Sequence, residues 1–164
     1  MLQARPIGRD ARFHPPVSGP VIAPCTRRLG SRSEVHVELF AANRVVLIPA
    51  GIGARPPLRL FSGRIAGAAC YGAVVTVDPT GLVLVSRGRR LTLSDLFRSW
   101  GQPLGGRALA GFTASRGTGV AVFVDGRRGR GSPAAVPLTG RAEIVLEVGP
   151  YVPPHSSYTF PPVP

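Results

Sequence analysis

Lysine is missing from this chain, and all 20 of its basic residues are Arg. A phosphate-binding role does not require that loss, because a Lys ammonium is itself a competent phosphate partner. With the surplus of Ala, Gly, Pro and Val, the pattern reads as codon bias that leaves a solubilising Arg surface. Acidic residues are scarce as well, 8 in all, so the net charge is +12. That balance favours non-specific association with polyanions and says nothing about a fold or a site. No run of 18 or more apolar residues occurs, which excludes a transmembrane helix. Histidine is limited to His14, His36 and His155, and the first and last fall in expected tails. Nucleophilic catalysis needs a nucleophile, a base and an orienting group within reach of one another. No G-x-S-x-G elbow or other catalytic motif supplies them. The expectation is a protein that is not an enzyme and has no cofactor.

Cysteine occurs twice, at Cys25 and Cys70, too few for a zinc cluster and not in a C-x-x-C. Two readings stand: a pair of buried thiols, or one structural disulfide that implies an oxidising compartment. The stretch Met1-Leu-Gln-Ala-Arg-Pro-Ile-Gly-Arg-Asp10 lacks the apolar h-region of a signal peptide. Either the pair stays reduced in the cytoplasm, or the true start lies elsewhere.

With 164 residues the chain is sized for one domain. Gly (21) and Pro (18) are in excess while hydrophobic residues reach 44%, which points to a compact, turn-rich domain with loose ends. Residues 1–24 carry no apolar period and read as a disordered or extended tail. Residues 25–150 form the domain, and 151–164 are a Pro-rich tail suited to polyproline II or docking. Glu34, His36 and Glu38 alternate with Val35, Val37 and Leu39, the period of a half-buried strand. Ala41–Arg44 is a turn and Val45–Ile48 a second strand. Cys70–Ser86 reads as two strands joined by Asp78-Pro-Thr-Gly81. Thr92–Trp100 is a helix, capped by Thr92 with Asp95 three residues on, with Leu93, Leu96, Phe97 and Trp100 on one apolar face and Gly101 as its stop. Gly119–Val124 followed by Asp125-Gly126 is strand and hairpin turn, and Ala142–Val148 is a last strand. The first strand pair is faintly echoed at Val120–Val124 and Val136-Pro-Leu138. The fold class is therefore α+β, mainly antiparallel sheet with one packed helix at about 92–100 and Pro/Gly-rich tails.

For chemistry, Glu34-x-His36-x-Glu38 puts an imidazole and two carboxylates on one strand face, a start for a metal site. The favoured reading is a solvated strand face, since no further His or Cys is placed to complete the shell. Asp78 is a fourth weak metal candidate, and no transition metal is expected. Glu143 and Glu147 share a strand face, spaced as on a solvated edge. Gly51-Ile-Gly53 lacks the third glycine of a dinucleotide loop, and Pro56-Pro57 forbids the helix it would need. Arg27 and Arg28, then Arg87, Arg89 and Arg90, then Arg127, Arg128 and Arg130, are candidate polyanion contacts. Aromatics are not interleaved with them, so sequence-specific or single-strand recognition is not expected.

Several stretches resemble an uncharacterised exported domain family of bacteria, actinobacterial in type. His36-Val-Glu-Leu-Phe40 and Val46-Leu-Ile-Pro-Ala-Gly-Ile-Gly53 are similar to its H-L-D-V-F-V-N-G and V-P-A-G-I-G. Cys70 and Asp78-Pro-Thr-Gly-Leu82, Leu91–Gly101, Val122-Phe-Val-Asp-Gly126 and Pro137-Leu138 follow in the same order. The resemblance spans about Cys25 to Pro162. It implies an extracytoplasmic location, a Cys25–Cys70 disulfide, and a non-catalytic binding or structural module of the envelope or secreted fraction, with a protein or an anionic envelope component as partner. Such relatives carry H-T-H-D in the hairpin and a later His. Here Val75, Thr76, Val77 and Asp78 stand at those positions with Leu84 at the later one, so only His36 and Asp78 persist of the implied donors. The alternatives are a basic nucleic-acid-associated protein and a metal-binding or redox protein.

Overall fold

The computed structural model describes residues 5–151 and 153–162; residues 1–4, 152 and 163–164, all in the two expected tails, lie outside the described residues. The alternation at Glu34–Leu39 is the middle of a ten-residue strand, β1 (Arg32–Ala41). Ala42 and Asn43 follow at φ 49° and 60°, the left-handed pair that matches a two-residue hairpin to strand twist, and lead into β2 (Arg44–Val46). Four short strands come next: β3 (Ala54–Arg55), β4 (Arg59–Phe61), β5 (Arg64–Gly67) and β6 (Cys70–Tyr71). They pair as two small ladders, β3 with β6 and β4 with β5. Then follow β7 (Val74–Val75), β8 (Leu82–Ser86) and the helix α1 (Leu93–Trp100). A small hairpin, β9 (Ala108–Leu109) with β10 (Phe112–Thr113), precedes β11 (Ala121–Val124), β12 (Arg127–Arg128) and β13 (Glu143–Val148). The Cys70–Ser86 hairpin is present in shortened form. Val74 and Val75 pair with Val85 and Leu84, while Cys70 and Tyr71 peel away to β3.

The main sheet has the order β12-β11-β13-β1-β8-β7, with β2 also beside β1. Its ladders are antiparallel except at the centre, where β1 and β13 run parallel, His36 opposite Glu143 and Ala41 opposite Val148. The fold is thus α+β and mainly antiparallel with one helix, and the central sheet is mixed. Along the other edge of β1, β8 pairs with Arg32–His36 and β2 with Leu39–Ala41.

Period 2 sends Val35, Val37 and Leu39 of β1 and Ile144 and Leu146 of β13 to the face covered by α1. The helix meets them with Leu93, Leu96, Phe97 and Trp100, none more than 1% exposed. Its first turn is closed by the Asp95 carboxylate, which accepts from the Thr92 backbone N–H at 2.8 Å and from its hydroxyl at 3.3 Å. Its last turn ends at Gly101, φ 86°, where a side chain would be strained. Residues 5–24 were expected as a disordered or extended tail, and the structure shows them docked, with one turn of 3-10 helix at Ala11–Phe13. Phe13 lies in the helix-side core, the Val45 N–H donates to Pro6 O at 2.9 Å, and the Leu47 N–H to Phe13 O at 2.8 Å. The Trp100 Nε1–H donates to Pro15 O at 3.1 Å and the Ser99 hydroxyl to Pro20 O at 2.7 Å. Proline holds φ near one value, so such a segment gives up little freedom on docking and offers its carbonyls as acceptors.

The opposite face of the sheet carries a second core of Ile65, Tyr71, Val75, Val77, Leu82 and Leu84, with Tyr158 and Phe160 of the C-terminal segment packed on it. Arg141 sits over the Phe160 ring at 4.6 Å. Cys25 and Cys70 form a disulfide, Cα atoms 5.3 Å apart. It joins the N-terminal segment to β6, where Thr26 and Tyr71 also exchange backbone hydrogen bonds at 2.8 and 2.7 Å. No helix among the described residues is long and apolar enough to cross a membrane.

Candidate functional site

The second face of the sheet holds the chemistry. Since β1 and β13 are parallel neighbours with His36 opposite Glu143, side chains of equal parity stand side by side. His36, Glu38 and Phe40 therefore line up against Glu143, Val145 and Glu147. His36 Nδ1 lies 2.6 Å from Glu143 Oε2, and both residues are buried, 4% and 1% exposed. The solvated face expected for Glu34-x-His36-x-Glu38, and the solvated edge expected for Glu143 and Glu147, are corrected here. β13 is an interior strand, and the C-terminal segment roofs the face.

The His36 ring is fixed from three sides. Its Nε2–H donates to Thr80 O at 2.8 Å; a carbonyl only accepts, so the proton sits on Nε2 and Nδ1 faces Glu143. Tyr158 stacks on the ring, centroids 3.6 Å apart and planes 4° from parallel. Gly81, φ 84°, comes so close that a Cβ there would stand 2.4 Å from Val37 O and 3.0 Å from His36 Nε2, and only glycine lets the β8 turn press on the imidazole in this way.

Donor atoms of His36, Glu38 and Glu143 lie within 4.8 Å of one another. His155, from the C-terminal segment, brings Nδ1 to 2.9 Å from Glu38 Oε2. Glu143 Oε1 is buried with no hydrogen-bond partner among the described residues. Burial and the neighbouring Glu38 carboxylate push the Glu143 carboxyl up to about 7, against the pull of His36. Burial disfavours the His36 cation, but the hydrogen bond to Glu143, its charge and the Thr80 carbonyl outweigh burial and raise the imidazole. The causes differ: burial raises Glu143 by disfavouring its carboxylate, whereas His36 is raised in spite of burial by the carboxylate and carbonyl that face it. The two acids of β13 differ. Glu147 is matched by Arg5, Nη2 at 3.0 Å, whose guanidinium also covers Phe40 at 3.7 Å. Glu143 meets an imidazole and another carboxylate.

The remaining candidates lie apart from this cluster. Glu34 is on the same face but outside the converging donors. Asp78 accepts from the Thr80 hydroxyl and faces Arg64 Nε at 3.5 Å. Val75, Val77 and Leu84 are buried in the second core, and Thr76, also buried, bridges loops by donating to Pro49 O at 2.7 Å and accepting from the Ile52 N–H at 3.1 Å. Sequence reasoning missed the partnership of Glu143 with His36 and of His155 with Glu38. One signal was present: Glu143-Ile-Val-Leu-Glu-Val148 is an apolar run of the kind buried on both faces, and an acid inside such a run needs a partner. For His155 no local signal existed, as it lies 117 residues from Glu38.

The arginine clusters are exposed, and a second feature accompanies them. Arg127 and Arg128 are on the outermost strand β12, with Arg128 over the Phe123 ring at 5.9 Å, and β11, β13 and β1 separate that strand from β8, which Arg87 follows. The β4–β5 hairpin projects Leu58, Leu60 and Phe61, which are 39%, 62% and 74% exposed. Arg55, Arg59 and Arg64 flank that tip. Beside it runs a groove of about 700 Å³ lined by Arg27, Arg28, Leu29, Leu58, Arg59 and Tyr71, among others. No protein-family model, curated protein or solved structure matches the chain.

Proposed function

We propose that this protein is a non-catalytic binding module acting outside the cytoplasm, and that it engages an anionic lipid surface of the envelope through the β4–β5 hairpin. The observation that carries the reading is the hairpin tip, where Leu60 and Phe61 are the most exposed large apolar residues among those described and stand between Arg59 and Arg64. A scattered surface Leu needs no explanation, but adjacent apolar side chains rimmed by one sign of charge mark an interaction surface. Withdrawing each such side chain fully from water is worth roughly 1.5–3 kcal/mol, and each Arg near an anionic leaflet adds about 1 kcal/mol. The Cys25–Cys70 disulfide supports the compartment, since such bonds persist where the surroundings are oxidising. The non-catalytic part is supported by Glu143, whose carboxylate is buried against His36 beneath Tyr158.

Co-sedimentation of the disulfide-bonded protein with phosphatidylcholine vesicles, with and without phosphatidylglycerol, tests this. Binding is expected only to the anionic vesicles, and Leu60→Ser with Phe61→Ser should remove most of it without changing the melting temperature. Equal binding by the double variant, or no binding to phosphatidylglycerol, overturns the proposal.

A further inference from the structure

We propose that His36, Glu38, Glu143 and His155 form a site for one divalent first-row metal ion of the zinc type, which clamps the C-terminal segment onto the sheet. Two imidazoles and two carboxylates are an ordinary ligand set for such an ion. The three donors on the sheet converge within 4.8 Å, a spread that side-chain rotation closes around an ion with bonds of about 2.0–2.1 Å. His155 already contacts Glu38 at 2.9 Å from the open side.

The hydrogen-bond count favours a cation over a purely protonic network. The Nε2 proton of His36 is committed to Thr80 O, so Nδ1 presents a lone pair to the cluster. Imidazoles that bind metals are oriented in this way by a second-nitrogen bond to a carbonyl. Glu143 Oε1 is buried with no hydrogen-bond donor placed on it among the described residues, the neighbouring Glu38 being a second carboxyl, and a buried carboxylate oxygen left bare is costly. One proton between His36 and Glu143 satisfies a single acceptor pair. A dication satisfies all four groups and cancels the two carboxylate charges, where a fixed Arg does that for Glu147. Access is available from the rim, since the side chains of Glu38 and His155 are 22% and 41% exposed. The ion would join β1 to β13 and to the segment carrying Tyr158 and Phe160, both more than 100 residues further along the chain.

The test uses the full chain without an affinity tag, disulfide intact and stripped with chelator. ZnCl2 is titrated calorimetrically, and CoCl2 is followed by its visible absorption. One equivalent should bind, raise the melting temperature, and protect the segment 153–162 from protease. Glu143→Gln, or Glu38→Gln if the first variant fails to fold, should abolish stoichiometric binding. His155→Ala, on the partly exposed segment, should keep the fold and weaken binding about 10–100-fold, at least the loss seen when a supporting partner is removed. Absence of stoichiometric binding of either metal overturns the site, as does wild-type affinity in the carboxylate variant. Unchanged affinity in His155→Ala overturns the clamp.

Discussion

At the scale of single residues, Trp100 and His36 show how one side chain is fixed by distant backbone. Trp100 is the only Trp and is fully buried, its ring against Phe97 at 5.4 Å and its Nε1–H on Pro15 O. The periodicity of α1 told which face it occupies, but gave no hint that the N-terminal segment closes over it. Truncating a buried aromatic to Ala typically costs about 3–5 kcal/mol, a large share of a total near 5–15 kcal/mol. Trp100→Phe keeps most of the apolar contact and strands the Pro15 carbonyl, for about 1–3 kcal/mol. Urea unfolding should rank the proteins wild type, Phe, Ala; coincident midpoints would mean that the helix face and its proline cover are unpacked. His36 was legible as a member of a polar strand face, and Glu38 with it. Its burial was not, because burial depends on what lies above the strand.

Among elements, the docked segments matter most. The N-terminal segment before β1 has few large apolar side chains, and what holds it is Phe13, a set of proline carbonyls, and the Cys25–Cys70 bridge. Closing a loop with a sequence separation of 45 is worth roughly 4 kcal/mol through the entropy of the unfolded chain. Cys25→Ser/Cys70→Ser should therefore lower the stability by about that amount, with the N-terminal half gaining amide exchange before the helix does. A double variant as stable as wild type, with unchanged exchange at Thr26 and Tyr71, would show that the bridge adds nothing to the docking. The main-sheet strands β1, β2, β7, β8, β11 and β13 were readable from period 2 and from the turn residues Asn43 and Gly126, whereas the short β3, β4, β5, β9, β10 and β12 were not. Their partners were less so: the shortening of the Cys70–Ser86 hairpin follows from competition by β3 for the Cys70–Tyr71 backbone, which local pattern does not reveal.

For the whole molecule, proton binding by the buried cluster couples to folding. In the metal-stripped protein the folded-state pKa of Glu143 is raised to about 7 and that of His36 is also raised, with Glu38, His155, Tyr158 and the Thr80 carbonyl as the groups that face them. The native state then holds more protons than the unfolded chain above the ordinary carboxylate range, and stability falls wherever that is so. The Glu143 contribution is complete below about pH 4.5 and is lost as pH rises through about 7. The His36 contribution is complete below its ordinary value near 6.5 and is lost above it. Chemical denaturation of chelator-treated protein between pH 5 and 8 should show stability declining, with Glu143→Gln flattening the slope. A rise over that window, or an equal slope in the variant, would refute the coupling.

Composition, period and turn chemistry by themselves determined an α+β domain, the main-sheet strands β1, β2, β7, β8, β11 and β13, one helix, the Leu93–Trp100 core face, and the parity that places Glu34, His36 and Glu38 together and Glu143 with Glu147. These are local properties, set by 2.0- and 3.6-residue repeats and by the φ preferences of Gly, Asn and Pro. Tertiary structure alone decided that β1 and β13 lie side by side and parallel, that His155 and Tyr158 return to cover them, and that His36, Glu143 and Glu147 are buried. Those facts depend on pairings between residues 107 to 117 positions apart, and a register or a roof made at such separation is settled by the packing of the whole sheet and leaves no periodic trace in either partner.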